Sequence, residues 1–131
     1  MCTDKAPPTV LSLDDSEVVQ ELIRRALCDE YRVLLCRSAM DALSLMNQEP
    51  ISALLLDISM PEIDGYNFCR TVRSIPKFKD LPIVMVTARD RAFDKVQGRL
   101  AGTTEYLTKP FDADQLRQVI QKLTKIYVSP Q

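Results

Sequence analysis

Histidine is absent from all 131 residues. That removes imidazole general-base chemistry, zinc–histidine sites and any phosphohistidine carried by this chain. A charge bias is missing too. Lys and Arg number 17 against 18 Asp and Glu, a net charge of −1. No basic surface argues for nucleic acid and no charged run argues for a tail. The longest apolar stretches are strand-length, far short of a membrane span, so membrane insertion is not expected. The N-terminus has no basic-then-apolar signal region. The cysteines are few and scattered: Cys2, Cys28, Cys36 and Cys69 form no CxxC pair for metal or redox work. Cys28, Cys36 and Cys69 lie in or beside apolar segments and are expected to be buried or half-buried free thiols. With the missing signal region they point to a reducing, cytoplasmic compartment. The length suits one domain with a real core, and leaves no room for a second module of usual size. On that expectation the output is a contact with another protein.

What is present alternates regularly. Residues 1–8 are polar, carry Pro7-Pro8 and read as a loose lead-in. Thr9 to Leu13 reads as a strand. Val19, Leu22, Ile23, Ala26 and Leu27 then recur at helical spacing. Tyr31 to Cys36 is a second strand, and Ala39, Ala42, Leu43 and Met46 mark a second helix closed by Pro50. Ile51 to Leu56 is a near-continuous apolar run, suited to a strand buried on both faces. Gly65 precedes a helix with Phe68, Val72 and Ile75 on one side. Ile83 to Val86 is the fourth strand. Arg91 to Leu100 gives a weakly amphipathic fourth helix, carried by Phe93, Val96 and Leu100 and weakened by Gly98. Tyr106 and Leu107 belong to a short fifth strand ending at Lys109-Pro110. The last helix is the best marked. Asp112 caps it, Gln115 holds the capping-box position, Phe111 can staple to Leu116, and Leu116, Val119, Ile120 and Leu123 form its stripe. Five strands alternating with five helices predict one α/β domain around a parallel sheet with helices on both faces. The domain is expected over residues 9–127, with a tail at 128–131.

Polar groups cluster where the apolar segments stop. Asp14 and Asp15 end the first strand, Asp57 follows the third, Thr87 ends the fourth and Lys109 the fifth. In a parallel sheet those ends share one edge, where ligands bind. Taken singly, most have ordinary explanations. Asp14 could cap the first helix, with Glu17 at the capping-box position, but Asp15 then has no role. Thr87 could be a β-branched strand residue and Lys109 a solvated surface lysine. Asp57 is harder to dismiss: after four apolar residues it must reach solvent, pair, or bind a cation. Taken together they fit one chemistry. Carboxylates without His or Cys favour a hard, oxygen-seeking cation such as Mg²⁺. A cation, an ammonium and a hydroxyl around one carboxylate are what phosphoryl transfer needs.

The set Asp14-Asp15, Asp57 with Met60-Pro61 and Gly65, Thr87-Ala88, Tyr106 and Lys109-Pro110 resembles the receiver domain of two-component response regulators, the chemotaxis-regulator type. The resemblance spans Thr9 to about Tyr127. It implies a flavodoxin-like (βα)5 fold with strand order 2-1-3-4-5. It implies that Asp57 accepts a phosphoryl group from a histidine kinase or a histidine phosphotransfer protein. It further implies that Asp15, Asp57 and the Ser59 carbonyl hold Mg²⁺, with Asp14 acting through water. Lys109 would pair with a phosphoryl oxygen, Thr87 would bond another with help from the Ala88 N–H, and the Lys109–Pro110 peptide would be cis. Pro61, Gly65 and Pro110 would shape the loops. Tyr106 would be the output switch, although it could also be an ordinary strand aromatic. Ser59 and Arg89 occupy positions that tune acyl-phosphate lifetime in this family. The stretch from Ala92 to Phe111 is similar to receivers of type IV pilus (twitching-motility) chemotaxis-like systems. The downstream target is then expected on the face from the fourth predicted helix to the last.

Three other readings compete. The chain could be a receiver cut from a longer regulator. It could be a Mg²⁺-dependent phosphohydrolase, but such enzymes usually carry an acid two residues after the nucleophile, where this chain has Ser59. It could be an interaction module that is never phosphorylated, which leaves the acidic, hydroxyl and lysine set without a purpose.

Overall fold

A computed structural model describes residues 7–60, 64–88, 96, 99 and 101–126. Its centre is a sheet of five parallel strands: β1 (Thr9–Leu13), β2 (Arg32–Cys36), β3 (Ala53–Asp57), β4 (Ile83–Thr87) and β5 (Glu105–Thr108). The order is β2-β1-β3-β4-β5, which is the flavodoxin-like arrangement. Among the described residues the α-helices are α1 (Glu17–Leu27), α2 (Ala39–Gln48), α3 (Gly65–Ser74) and α4 (Ala113–Ile126), with one 3-10 turn at Pro76–Phe78.

The helices divide between the two faces, as right-handed crossovers require. Ile23, Ala26 and Leu27 of α1 join Leu116, Ile120 and Leu123 of α4 over Val10, Ala53, Leu55, Val84 and Val86. Ala42 and Met46 of α2 join Phe68, Cys69 and Val72 of α3 over Leu11, Leu13, Leu54, Leu56 and Met85. Alternate residues of one strand feed opposite clusters, so β1, β3 and β4 are buried throughout. This is why β3 reads as an unbroken apolar run. β2 lies at the sheet edge and is half-exposed.

Several boundaries differ from expectation. β3 begins at Ala53, where its ladder with Val10 of β1 starts, and it ends at Asp57, which pairs with Val86. Asp57 is therefore the last residue of the strand, not the first of the loop. Tyr31 lies outside β2; it is buried, and its hydroxyl meets Thr124 Oγ1 at 3.1 Å. Leu22 is 37 % exposed rather than part of the core stripe. Cys28 is exposed because it is the C-cap of α1, whereas Cys36 and Cys69 are buried free thiols. Gly65 is the first residue of α3, with Asp64 as its cap.

The cap of α4 matches expectation in detail. Gln115 N donates to Asp112 Oδ1 at 2.8 Å, and Asp112 N donates to Gln115 Oε1 at 2.9 Å. Phe111 packs on the cluster that contains Leu116. Pro61, Arg89, residues 1–6 of the lead-in, residues 127–131, and most of the 91–100 helix with Phe93, Gly98 and Leu100 lie outside the described residues. Within that stretch Val96 and Arg99 are helical and exposed, and the adjoining Ala101 is helical and buried.

Candidate functional site

The C-terminal ends of β1, β3, β4 and β5 bring Asp14-Asp15, Asp57, Thr87 and Lys109 to one edge of the sheet. Register explains how. Leu13 pairs with Leu56, and Asp57 with Val86, so the residues after them meet. Ile58 N donates to Val86 O at 3.1 Å, and Lys109 N donates to Thr87 O at 2.7 Å. These bonds extend the ladders just past the polar residues.

One carboxylate oxygen from each of Asp14, Asp15 and Asp57 lies within 4.8 Å of the others. Asp14 and Asp57 are each 2 % exposed, and Asp15 is exposed. Lys109 Nζ lies 3.3 Å from Asp14 Oδ2 and 3.3 Å from Asp57 Oδ2. The Lys109–Pro110 peptide is cis. The other oxygen of Asp57, Oδ1, accepts from Ser59 N at 2.9 Å and from Ser59 Oγ at 2.6 Å. Burial pushes the Asp14 carboxyl above its usual range. The bond from Ser16 N opposes that push, the Asp57 charge adds to it, and Lys109 opposes it. Two acids held this close ask for positive charge. The ammonium supplies some, and a donor set of hard oxygens suits Mg²⁺ for the remainder.

Asp14 is not the cap of α1. Ser16 is, with its Oγ accepting from Val19 N at 3.3 Å. Asp14 Oδ1 instead accepts from Ser16 N at 2.8 Å, a local Asx turn that leaves Oδ2 for Lys109. Thr87 is buried at the end of β4 and Ala88 is exposed in the bend that follows. Tyr106 is half-buried, in register with Met85 two residues before Thr87, and packs on the α2–α3 side of the core. Gly65 approaches Ile58 so closely that a Cβ there would lie 2.7 Å from Ile58 Cγ2.

Sequence reasoning missed two polar anchors. Gln20 is buried beneath the acid pair and bonds the backbone of Ser12, Asp14 and Cys36. Its signal was a carboxamide inside the apolar stripe of α1. Arg73 of α3 donates to Gly102 O at 2.8 Å, Phe78 O at 2.8 Å and Thr104 Oγ1 at 3.1 Å. It pins the turn where Gly102 takes a φ of 102°, and no local pattern announced it.

Acids just past β1 and at the end of β3, joined by a lysine just past β5 at the sheet edge, match the resemblance, and the comparison with known families agrees. Residues 10–121 match the response regulator receiver domain. The chain belongs to that family. Receivers are phosphoacceptor signalling domains that bind Mg²⁺ at an acidic pocket and interact with histidine kinases and downstream effectors. This receiver is 38 % identical over 117 residues to response regulator MprA of Mycobacterium leprae, covering 88 % of this chain and 50 % of MprA. It is 33 % identical over 116 residues to protein PilG of Pseudomonas aeruginosa, covering 86 % of this chain and 84 % of PilG. The chain thus spans about half of the first relative and most of the second. Chemotaxis protein CheY4 of Vibrio cholerae superposes with a TM-score of 0.86 at 28 % identity, covering 90 % of this chain and 99 % of CheY4. The receiver domain of sensor histidine kinase PA1611 from P. aeruginosa, solved with a magnesium ion coordinated in its active-site cleft, gives 0.82 at 29 % identity, covering 92 % and 99 %. No helix among the described residues is long and apolar enough to cross a membrane.

Proposed function

We propose that this receiver accepts a phosphoryl group on Asp57 from a phosphohistidine in a partner protein and converts it into a change of protein contacts. The observation that carries the reading is the Lys109 ammonium, 3.3 Å from both buried carboxylates, Asp14 and Asp57. An ammonium in that place can follow charge from the free carboxylate to the arriving phosphoryl oxygens.

In the transfer an oxygen of Asp57 attacks phosphorus. The O–P bond forms, the N–P bond of the donor breaks, and its electron pair stays on the departing imidazole. Bound Mg²⁺ would supply positive charge to the phosphoryl oxygens as they arrive. The ligands we assign to it are Asp15, Asp57 and the Ser59 carbonyl, with Asp14 through water. Lys109 pairs with one phosphoryl oxygen. The Thr87 hydroxyl donates to another with the Ala88 N–H. Ser59 must release Asp57 Oδ1, whose hydrogen bonds it makes in the resting state. Tyr106 then packs further inward behind Thr87, and the surface from the 91–100 segment to α4 presents a new face to the target.

Similarity to a chemotaxis protein and the resemblance over Ala92 to Phe111 support a taxis-type pathway, and we place the chain in pilus-based motility on the latter. The half-length match to MprA equally suits a receiver within a longer regulator.

The test is mass spectrometry after incubation with acetyl phosphate and Mg²⁺. The expected result is one added phosphoryl group on the wild type and none on Asp57→Asn. Equal gain by both, or no gain by the wild type, would overturn the assignment. A pull-down with and without beryllofluoride then identifies the listener, and identical captures would remove the switch.

A further inference from the structure

Gln20 lies on the inward side of α1, one turn before Ile23, and is 6 % exposed. An apolar side chain would pack there without any need for partners. Burying a carboxamide is costly unless its hydrogen bonds are made. Here they are made, and to one particular place. Nε2 donates to Asp14 O at 3.0 Å, Cys36 O at 3.1 Å and Ser12 O at 3.2 Å, while Oε1 accepts from Ser12 Oγ at 2.6 Å. Ser12 is itself a buried hydroxyl in the middle of β1, where its neighbours are apolar.

Asp14 is held from four directions. Its N–H donates to Cys36 O at 3.2 Å, its Oδ1 accepts from Ser16 N, and its Oδ2 faces Lys109. The remaining backbone group, its carbonyl, is held by Gln20. The same carboxamide also holds the Cys36 carbonyl that receives the Asp14 N–H. The Asp14 carbonyl belongs to the peptide that leads into Asp15. Fixing that peptide limits how far the exposed Asp15 carboxylate can swing from Asp57. Gln20 hydrogen-bonds none of the three carboxylates, so its contribution is orientation, the kind that outer groups make at metal sites.

We propose that Gln20 is a positioning residue that pre-sets the Asp14–Asp15 pair for a divalent cation, with Ser12 fixing the carboxamide. The inference rests on the reading of the acid cluster as a Mg²⁺ site. It is tested by calorimetric titration of the full chain with Mg²⁺. Gln20→Met keeps the volume and removes the donors, and is expected to raise the Mg²⁺ dissociation constant roughly tenfold. Labelling by acetyl phosphate at saturating Mg²⁺ should stay near the wild-type rate. Ser12→Ala, which removes one hydroxyl only, serves where Gln20→Met fails to fold and should weaken Mg²⁺ in the same direction by less. Leu123→Ala, at the end of α4 that meets the C-terminal end of α1 rather than Gln20, should loosen the fold and leave Mg²⁺ affinity unchanged. Wild-type affinity in Ser12→Ala and in any folded Gln20→Met overturns the proposal, as does equal weakening in Leu123→Ala. A wild type that binds no Mg²⁺ overturns the site reading and this inference together, and is distinguishable because no variant is needed to see it.

Discussion

The ammonium of Lys109 stands 3.3 Å from Oδ2 of Asp57, and both side chains are largely withdrawn from water. Among the described residues it is the cation paired with these crowded acids. Lys109→Met removes it and leaves Asp14 and Asp57 facing each other. Without Mg²⁺ the variant should lose on the order of 2 kcal/mol of stability in urea titration at neutral pH. Labelling by acetyl phosphate should fall well below wild type. A variant as stable as wild type would mean that the pair contributes nothing.

Asp14 gives a prediction of opposite sign. Burial raises its carboxyl above 3.8, so the native state holds a proton at pH values where the unfolded chain has lost it. Stability from this group is therefore present at low pH and lost as pH rises through the raised value. Asp14→Asn should be more stable than wild type at neutral pH in metal-free buffer. Adding millimolar Mg²⁺ should stabilise wild type more than the variant, since a ligand of the native state raises stability by mass action. Urea midpoints in both buffers check this, and a metal-free variant below wild type refutes it.

Gly65→Ala should disturb the loop that follows Asp57. The added Cβ would lie 2.7 Å from Ile58 Cγ2 and 3.0 Å from Ile58 Cα, so backbone has to move. The cost is steric, on the order of 1–3 kcal/mol. Because Ile58 directly follows Asp57, acetyl phosphate labelling should slow as well. Unchanged stability and labelling would show that the loop yields freely.

The thiols should separate by exposure. Cys28 is exposed and should react with a thiol reagent in the native protein, while Cys36 and Cys69 should wait for unfolding. Burial pushes the Cys36 thiol from 9.0 up to about 12. Above pH 9 the unfolded thiol loses a proton that the native one keeps, so stability falls as pH rises through that window. Cys36→Ala should show a shallower alkaline loss in urea midpoints. Peptide mapping that finds Cys36 modified as fast as Cys28 would contradict the burial.

Much of the fold was legible because its signals are local. The apolar stripe of α4 and the Asp112–Gln115 box lie within a few residues of each other, and both were realised. The unbroken apolar run of β3 announced burial on both faces. Exposure was less legible. Leu22 and Cys28 have core-like identities, but sit where α1 turns away from the sheet.

The sequence by itself determined the class of the protein: alternating strands and helices, acids and a lysine at strand ends, and no histidine of its own. Those features depend on residue type and short spacing, which chain order records directly. Tertiary structure alone decided that Lys109 reaches both Asp14 and Asp57, that Ser16 rather than Asp14 caps α1, and that Gln20 holds the peptide behind the acids. The reach of Lys109 and the hold of Gln20 depend on strand register and helix rotation, which are set by packing between segments far apart in the chain; the cap falls to Ser16 because Asp14 turns Oδ1 to Ser16 N and Oδ2 to Lys109.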